Sequence, residues 1–424
     1  MCGPELWFTC GRWLEKIGRL ETPATREHTD TAALPFIVWV VLGASAVAVL
    51  TSGLQLLGVR LLAFTWMVPL VVALFDLSFI PGRPRLPLRL WMPWLVLLLV
   101  YVLLADTENA FQRTVMMATP IVVGLAVSKH VAAPKRLQVF GRASVILTLA
   151  FLAGVAAKSG ISFRRLPSPS ALAPNVMTGA LLASLFAARY ALGSRRSLVL
   201  WGVLAFAPVI ALTRTGIVAT ALTLPLTLAP LSWKRRIAFS GLLLMVGLAV
   251  FQSARVQRKM FSSGEGTLAD LTLDNPDLRL SGRRQMWEYL EAQVRNRPWF
   301  GHGANASERV AVALSHRETH PHNDWLRLRY DYGNFGAAVF AACMLAQLLH
   351  LWRRARHADP HRKVLAYAGA SSFIAFSLFM LTDNIILYAA FFGNLQFTII
   401  GLAYSDGPPS PESGAAVVPG TASA

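Results

Sequence analysis

Long apolar runs alternate with short polar connections along most of this 424-residue chain. A helix needs about 20 mainly apolar residues to cross a bilayer, and twelve runs come close to that length. The predicted fold class is therefore an all-α, polytopic membrane protein. Its twelve predicted transmembrane helices lie at 34–53, 59–80, 90–106, 112–129, 137–157, 171–190, 197–212, 214–231, 236–252, 322–351, 364–383 and 386–404.

The same pattern divides the chain into five predicted segments. A polar N-terminal segment covers 1–33 and fits either an interfacial helix or a frayed tail. Helices one to nine cover 34–252, and one long polar loop covers 253–321. The last three helices cover 322–404. The tail at 405–424 is rich in Pro, Gly, Ser and Ala, and it is predicted to be disordered.

Composition supports the membrane assignment and gives it an orientation. Charged residues make up 15% of the chain, against about 25% in soluble domains. The net charge of +18 could indicate nucleic acid, but the cations follow the predicted topology instead. With a cytoplasmic N-terminus, that terminus and the cytoplasmic connections carry 22 Lys and Arg, and the short external connections carry 6. Both termini are thus predicted to be cytoplasmic, and the long loop external.

Polar residues cluster at 320–323, where the long loop enters the tenth predicted helix. Polar groups at a membrane boundary must be solvated or paired, so they indicate a functional site. His322 is the predicted functional histidine and His320 a supporting one, with a structural role as the alternative. The predicted helix has Pro321 in its first turn. One face of it would carry His322, Leu326, Arg329, Gly333 and Gly336, with the glycines admitting another helix.

A second candidate is Arg214, which lies at an external turn between two apolar runs. An arginine there could snorkel to lipid headgroups. The functional interpretation is an anion site, because the planar guanidinium matches phosphate oxygens. The hydroxyls of Thr213 and Thr215 could add hydrogen bonds.

The third candidate is an amphipathic helix predicted at 281–295 in the long loop, with Ser281 as a possible cap. Its first turn would carry Arg283 and Arg284. Cations are unfavourable at this positive helix end unless an anion binds between them. Solvated surface arginines are the alternative.

These residues together predict group transfer from a lipid-linked phosphate to a hydroxyl acceptor. Histidine can accept a proton from a sugar hydroxyl, and arginines can stabilise a departing phosphate. Asn323 or Asp383 could set the tautomer of His322. Four histidines are external, but H-x-H without a second ligand pair is a weak zinc signal, so no metal or cofactor is predicted. These histidines are His302, His316, His320 and His322.

The ordered motifs resemble those of the O-antigen ligase and polymerase superfamily of bacterial envelope glycosyltransferases. Its histidine motif is matched by His322-Asn323 with Gly333 and Gly336, and its arginine motif by 213–216. Its loop motifs S-G-R-x-x-x-W and P-x-x-G-x-G are matched at 281–287 and 298–303. The resemblance covers roughly 35–405. Arg329, where the family often has an apolar residue, and Thr213, where it often has Ser, depart from the pattern.

The resemblance implies a GT-C-like, metal-independent, inverting enzyme in the bacterial inner membrane, with its site in the periplasm. The implied partners are an undecaprenyl-pyrophosphate-linked glycan donor and, for a ligase, the lipid A core as acceptor, in lipopolysaccharide biosynthesis. His322 would be the base, and Arg214, Arg283 and Arg284 would bind pyrophosphate. Arg329 would be an extra phosphate or sugar contact.

Three activities compete within this superfamily, namely ligase, polymerase and protein O-oligosaccharyltransferase. The single external loop just before the histidine motif and the short cytoplasmic tail favour the ligase. A lipid or polysaccharide transporter is the alternative from another class. Transporters tend to show two related halves with broken helices, and no such symmetry is visible in the sequence.

Overall fold

The computed structural model describes residues 33–51, 55–56, 59–105, 109–160, 169–272, 274–279, 283–314 and 320–405. The predicted interfacial helix in 1–33, the predicted cap Ser281, the external His316 and the tail beyond Ser405 lie outside these ranges.

The described residues are almost entirely helical, which confirms the predicted helical character of the chain. One short antiparallel pair joins β1 (Gln55–Leu56) to β2 (Val59–Arg60). The α-helices are α1 (Phe36–Thr51), α2 (Leu61–Phe79), α3 (Met92–Leu103), α4 (Ala110–Ser128), α5 (Pro134–Gly160), α6 (Pro169–Ala191), α7 (Arg195–Ile210), α8 (Arg214–Leu222), α9 (Trp233–Phe251), α10 (Ala254–Met260), α11 (Arg283–Asn296), α12 (Ala306–Leu314), α13 (Asp324–His357), α14 (Pro360–Met380) and α15 (Asn394–Tyr404). Short 3-10 turns lie at Leu88–Leu90, Leu268–Asp270 and Ile385–Leu387, and a π turn at Ala389–Gly393.

Several of these helices are long and apolar enough to cross a membrane. In the described part of the chain, α4, α5, α13 and α14 meet this test on their own. A fifth span results if α9 and α10, which are bent by 77°, count as one. The chain is therefore a multi-pass membrane protein. Each of the twelve predicted segments contains a helix, but the number of spans, the segment boundaries and the side of the loop stay predictions.

The eighth predicted helix is shorter than its apolar run suggests. It was predicted at 214–231, whereas α8 ends at Leu222. Pro225 and Pro230 follow, and proline disfavours the helical conformation of the residue before it. Arg236 of α9 binds the carbonyls exposed by this ending, donating to Pro225 at 2.5 Å and to Thr227 at 2.7 Å.

The membrane core is closely packed where glycines meet. Helix α15 packs against α4, and a Cβ at Gly401 would lie 2.8 Å from the Gly124 carbonyl oxygen. Small residues at such crossings let helix backbones approach within the membrane. The surfaces of α2, α7 and α9, by contrast, expose large apolar side chains, as expected for contact with lipid.

A second, smaller core fixes the long-loop helices to the outer part of α13. The predicted loop helix appears as α11, and its Met286, Leu290 and Val294 are buried. They join Leu326 and Tyr330 of α13 in one cluster, to which α12 also contributes. Helix α12 was not predicted from the sequence. This packing positions the loop over the start of α13.

The start of α13 differs from the prediction. The predicted helix included Pro321 and His322, whereas α13 begins at Asp324. Asn323 is the N-cap, and its side chain accepts a hydrogen bond from Leu326 N at 2.9 Å. Asparagine is among the strongest N-cap residues, which explains this starting point. His322 lies outside the helix with φ 52°, so the prediction of one shared helix face is wrong.

Candidate active site

His322 is held between the start of α13 and the segment that follows α14. Its Nδ1 lies 3.3 Å from Asp383 Oδ1 and 3.1 Å from Asn384 Nδ2. Its backbone N–H donates to Asn384 Oδ1 at 3.0 Å. An Nδ1–H donated to the Asp383 carboxylate leaves the lone pair on Nε2, the arrangement that a general base requires.

The residue before Asp383 connects the histidine to both arginine motifs. The Thr382 carbonyl accepts a hydrogen bond from Arg283 Nη1 at 3.3 Å. Its hydroxyl bonds to the hydroxyl of Thr215, in the turn that carries Arg214. The segment 382–384 therefore brings three motifs together that are far apart in the chain.

Arg214, Arg283 and Lys259 form a cationic cluster beside this segment. Their charges are close enough to repel one another. Arg214 Nη2 donates to the Arg279 carbonyl at 3.0 Å, and Lys259 Nζ donates to the Leu212 carbonyl. These carbonyl contacts orient the cations but leave their charges uncompensated.

Nothing in the described ranges neutralises the cationic cluster. Across the described residues, no carboxylate forms an ion pair with any of its three members. Within the same ranges, the buried Arg283 Nε and Thr213 Oγ1 have no hydrogen-bond partner. Buried polar atoms are nearly always paired, so these two atoms fit the edge of an anion site.

Three of the predicted site residues, one pyrophosphate-binding and two supporting, have other partners. The Arg284 guanidinium donates to the Asn275 carbonyl, whereas Arg283 faces Thr382. Arg329 forms a two-pronged ion pair with Glu291, with both N–O distances at 3.0 Å. Asn323 caps α13. Glu291 therefore occupies the guanidinium of Arg329, which was predicted to bind phosphate or sugar. Asp383, and not Asn323, lies beside His322 Nδ1.

Helix α11 fixes Arg283 and the histidine motif relative to each other. Trp287, one turn after Arg283, donates from Nε1 to the Pro321 carbonyl at 2.7 Å. Pro321 directly precedes His322. One short helix therefore positions a cation at its start and the histidine segment one turn later.

The segment 298–303 docks against a break in α13. At the break, Gly333 has φ 72° and ψ 178°. A Cβ there would overlap the Trp299 backbone, and a Cβ at Gly301 would lie 2.5 Å from Gly333 N. Gly333 thus admits this loop segment and not another helix as predicted, whereas a Cβ at Gly336 would lie 3.2 Å from Leu97 of α3. Four backbone bonds hold the loop segment, namely His302 N to Tyr330 O at 2.9 Å, Gly303 N to Asp331 O at 3.0 Å, Asn334 N to Pro298 O at 2.7 Å and Phe335 N to Trp299 O at 3.2 Å.

A buried charge network lies beneath the site and was not predicted. Arg327 is fully buried on α13, 3.3 Å from Glu308 Oε1 and 3.5 Å from Asp331 Oδ2. Arg113 Nε lies 2.9 Å from the same Glu308 oxygen, and His320 Nδ1 lies 2.8 Å from it. Arg327 and Asp331 are four residues apart, a spacing that makes them neighbours on a helix. This spacing was the one feature of the sequence that could have indicated the network.

His320 belongs to this network through its interaction with Glu308. Burial raises the pKa of Glu308, but the hydrogen bond with His320 and the charges of Arg327 and Arg113 lower it to about 2. The pKa of His320 is lowered, because the effect of burial is larger than the opposing effect of its contact with Glu308. His320 is therefore neutral at neutral pH and packs as a partner of Glu308.

Replacing Arg327 with methionine is expected to destabilise the protein by about 3–5 kcal/mol, because buried carboxylates would lose their cation. Thermal unfolding in detergent measures this effect. The matched control is Arg329→Met, whose ion pair with Glu291 is 36% and 38% exposed and should contribute about 0–1 kcal/mol. Equal losses in both variants would contradict a special role of the buried network.

A histidine–carboxylate pair beside an uncompensated cationic cluster, on a multi-pass membrane scaffold, defines a membrane protein suited to chemistry on phosphate-bearing substrates. Residues 198–341 match the family model described as O-antigen ligase. This match confirms the resemblance to the O-antigen ligase superfamily of membrane glycosyltransferase-like enzymes, and its range includes Arg214, Arg283 and His322. No curated protein matches the chain.

Proposed function

We propose that this protein is an O-antigen ligase acting at the periplasmic face of the bacterial inner membrane. It transfers a glycan from an undecaprenyl-pyrophosphate carrier to a sugar hydroxyl of the lipid A core. One observation carries the proposal, the junction of His322, Asp383, Thr382 and Arg283. There a potential base lies beside cations that can hold a pyrophosphate.

In the proposed reaction, His322 Nε2 takes the proton from the acceptor hydroxyl. The resulting oxygen attacks the anomeric carbon, and the bond from that carbon to the pyrophosphate oxygen breaks with inversion. Asp383 stabilises the imidazolium that forms. The cationic cluster stabilises the negative charge that develops on the leaving pyrophosphate. No metal or cofactor takes part in these steps.

The ligase is preferred over its relatives because one long loop, predicted to be external, directly precedes the histidine motif. A polymerase or a protein O-oligosaccharyltransferase would use the same base and cations with another acceptor. The deciding experiment gives the purified protein a lipid-linked donor and two acceptors, rough lipopolysaccharide and free repeat unit. We expect a product of higher mass with rough lipopolysaccharide, unaffected by EDTA.

Other outcomes of this experiment would point elsewhere. Products formed only on the repeat unit would identify a polymerase. Donor that crosses liposomes without any transfer would identify a transporter. Activity that EDTA removes and zinc restores would require a metal site.

Replacing Arg283 with alanine is expected to lower the transfer rate about 10²-fold, the typical effect of one preorganised donor to a developing charge. The Arg284→Ala variant is the control, because its guanidinium binds the Asn275 carbonyl instead. It should transfer at close to the wild-type rate. A larger loss in Arg284→Ala than in Arg283→Ala would reverse the assignment of the phosphate contact.

A further inference from the structure

A large basic cavity lies at the other end of α13 from the candidate active site. It has a volume of about 770 Å³ and lies between the end of α13, the start of α14 and the end of α15. With 34 residues at about 1.5 Å each, α13 is long enough to reach from one membrane face to the other. Its lining includes four arginines, Arg353, Arg354, Arg356 and Arg362, and one carboxylate, Asp359.

Two of these arginines hold the fold together. Arg354 Nε donates to the Ala403 carbonyl at 3.0 Å. Arg362 Nε donates to the Ser405 carbonyl at 2.6 Å and also pairs with Asp359, the single carboxylate of the lining. These contacts tie the end of α15 to the α13–α14 connection, so Arg354 and Arg362 shape the cavity.

The other two arginines keep their positive charge for a ligand. Arg353 and Arg356 are exposed. Across the described residues, neither forms an ion pair with a carboxylate. The Arg356 guanidinium stacks over the Trp352 ring at 4.0 Å, which fixes its position without neutralising it. The cavity therefore presents two cations suited to phosphate oxygens, one of which is held in place by Trp352.

An apolar stripe leads along α13 to these cations. Leu345, Leu349, Trp352 and Arg356 follow one another at helical spacings of four, three and four, so they share one face. Leu345 and Leu349 are exposed on a helix long and apolar enough to cross a membrane, so lipid chains can reach them. An apolar stripe ending at phosphate-binding arginines matches the shape of a phospholipid. A soluble anion would use only the cations.

We propose that Arg353 and Arg356 bind the phosphate headgroup of an anionic phospholipid, with its acyl chain along Leu345 and Leu349. This site lies at the opposite end of α13 from His322 and does not depend on the proposed transfer reaction. Each arginine near the membrane surface is attracted to anionic lipid by its charge alone. The cavity adds a defined position for one headgroup.

The test uses the full-length protein in a neutral detergent, titrated with fluorescent phosphatidylglycerol. The double variant Arg353→Ala/Arg356→Ala is expected to bind at least tenfold more weakly than the wild type. The matched control is Arg195→Ala/Arg196→Ala, an exposed arginine pair at the start of α7, which should bind like the wild type. Equal weakening in both double variants would show a general charge effect and overturn the proposal.

Further arms separate the possible ligands. Inorganic phosphate or pyrophosphate at millimolar concentration should not displace the lipid, and displacement would identify a soluble-anion site instead. Phosphatidylcholine should bind much more weakly, and equal binding would remove the anionic preference. Arg353→Lys/Arg356→Lys should restore most of the affinity, which shows that the loss does not come from misfolding.

Discussion

Replacing His322 with alanine is expected to lower the rate of glycan transfer by about 10²–10⁴-fold, the usual contribution of a general base. The imidazole is the group placed to take the acceptor proton, and Asp383 holds its other nitrogen at 3.3 Å. Single-turnover transfer from a lipid-linked donor to rough lipopolysaccharide measures the effect. Donor binding should remain, because the cationic cluster is unchanged.

The control for this experiment is His361→Ala, at the start of α14 and at the opposite end of the membrane helices from His322. It should transfer at the wild-type rate. The transfer rate of Asp383→Asn should lie between those of His322→Ala and His361→Ala. The amide keeps a contact with the histidine but lacks the charge that stabilises the imidazolium. Transfer at the wild-type rate by a normally inserted His322→Ala protein would exclude His322 as the base.

Replacing Gly333 with alanine is expected to destabilise the protein by at least about 3 kcal/mol and to abolish most transfer. The positive φ of 72° costs an alanine roughly 1–2 kcal/mol, and the new methyl group would overlap the Trp299 backbone. The segment 298–303 would then lose its place on α13. The midpoint of thermal unfolding and the transfer rate should both fall.

Gly241→Ala supplies the comparison for this variant. Gly241 lies within α9, and a Cβ there would meet nothing within 4 Å. Alanine should stabilise this position slightly, since it is the better helix former by about 1 kcal/mol. If Gly333→Ala unfolds at the same temperature as Gly241→Ala, the docking of 298–303 does not depend on the glycine.

The helices could be predicted from the sequence because long apolar runs directly report burial in lipid or in the protein core. Arg214 and Arg283 could be singled out because a cation in the first turn of a helix is locally unusual. The π turn before α15 and the early end of α8 depend on local backbone conformation, which an apolar run conceals.

The contacts that assemble the site could not be predicted, since they join distant parts of the chain. His322 meets Asp383 across 61 positions, and Arg283 meets Thr382 across 99. Lys259 enters the cationic cluster through the bend between α9 and α10. Arg327 lies in a stretch that is polar enough to suggest an exposed helix face, yet it is fully buried by α12. In each case tertiary packing decides the role of the residue.

The break at Gly333 makes α13 two mechanical parts within one helical path. Backbone bonds to 298–303 hold both parts, because His302 N and Gly303 N bind carbonyls before the break, whereas Asn334 N and Phe335 N after the break bind Pro298 and Trp299. One loop segment therefore clamps the break from both sides. Membrane helices tilt when bilayer thickness changes, and with this clamp a tilt of α13 would carry the segment 298–303 along with it.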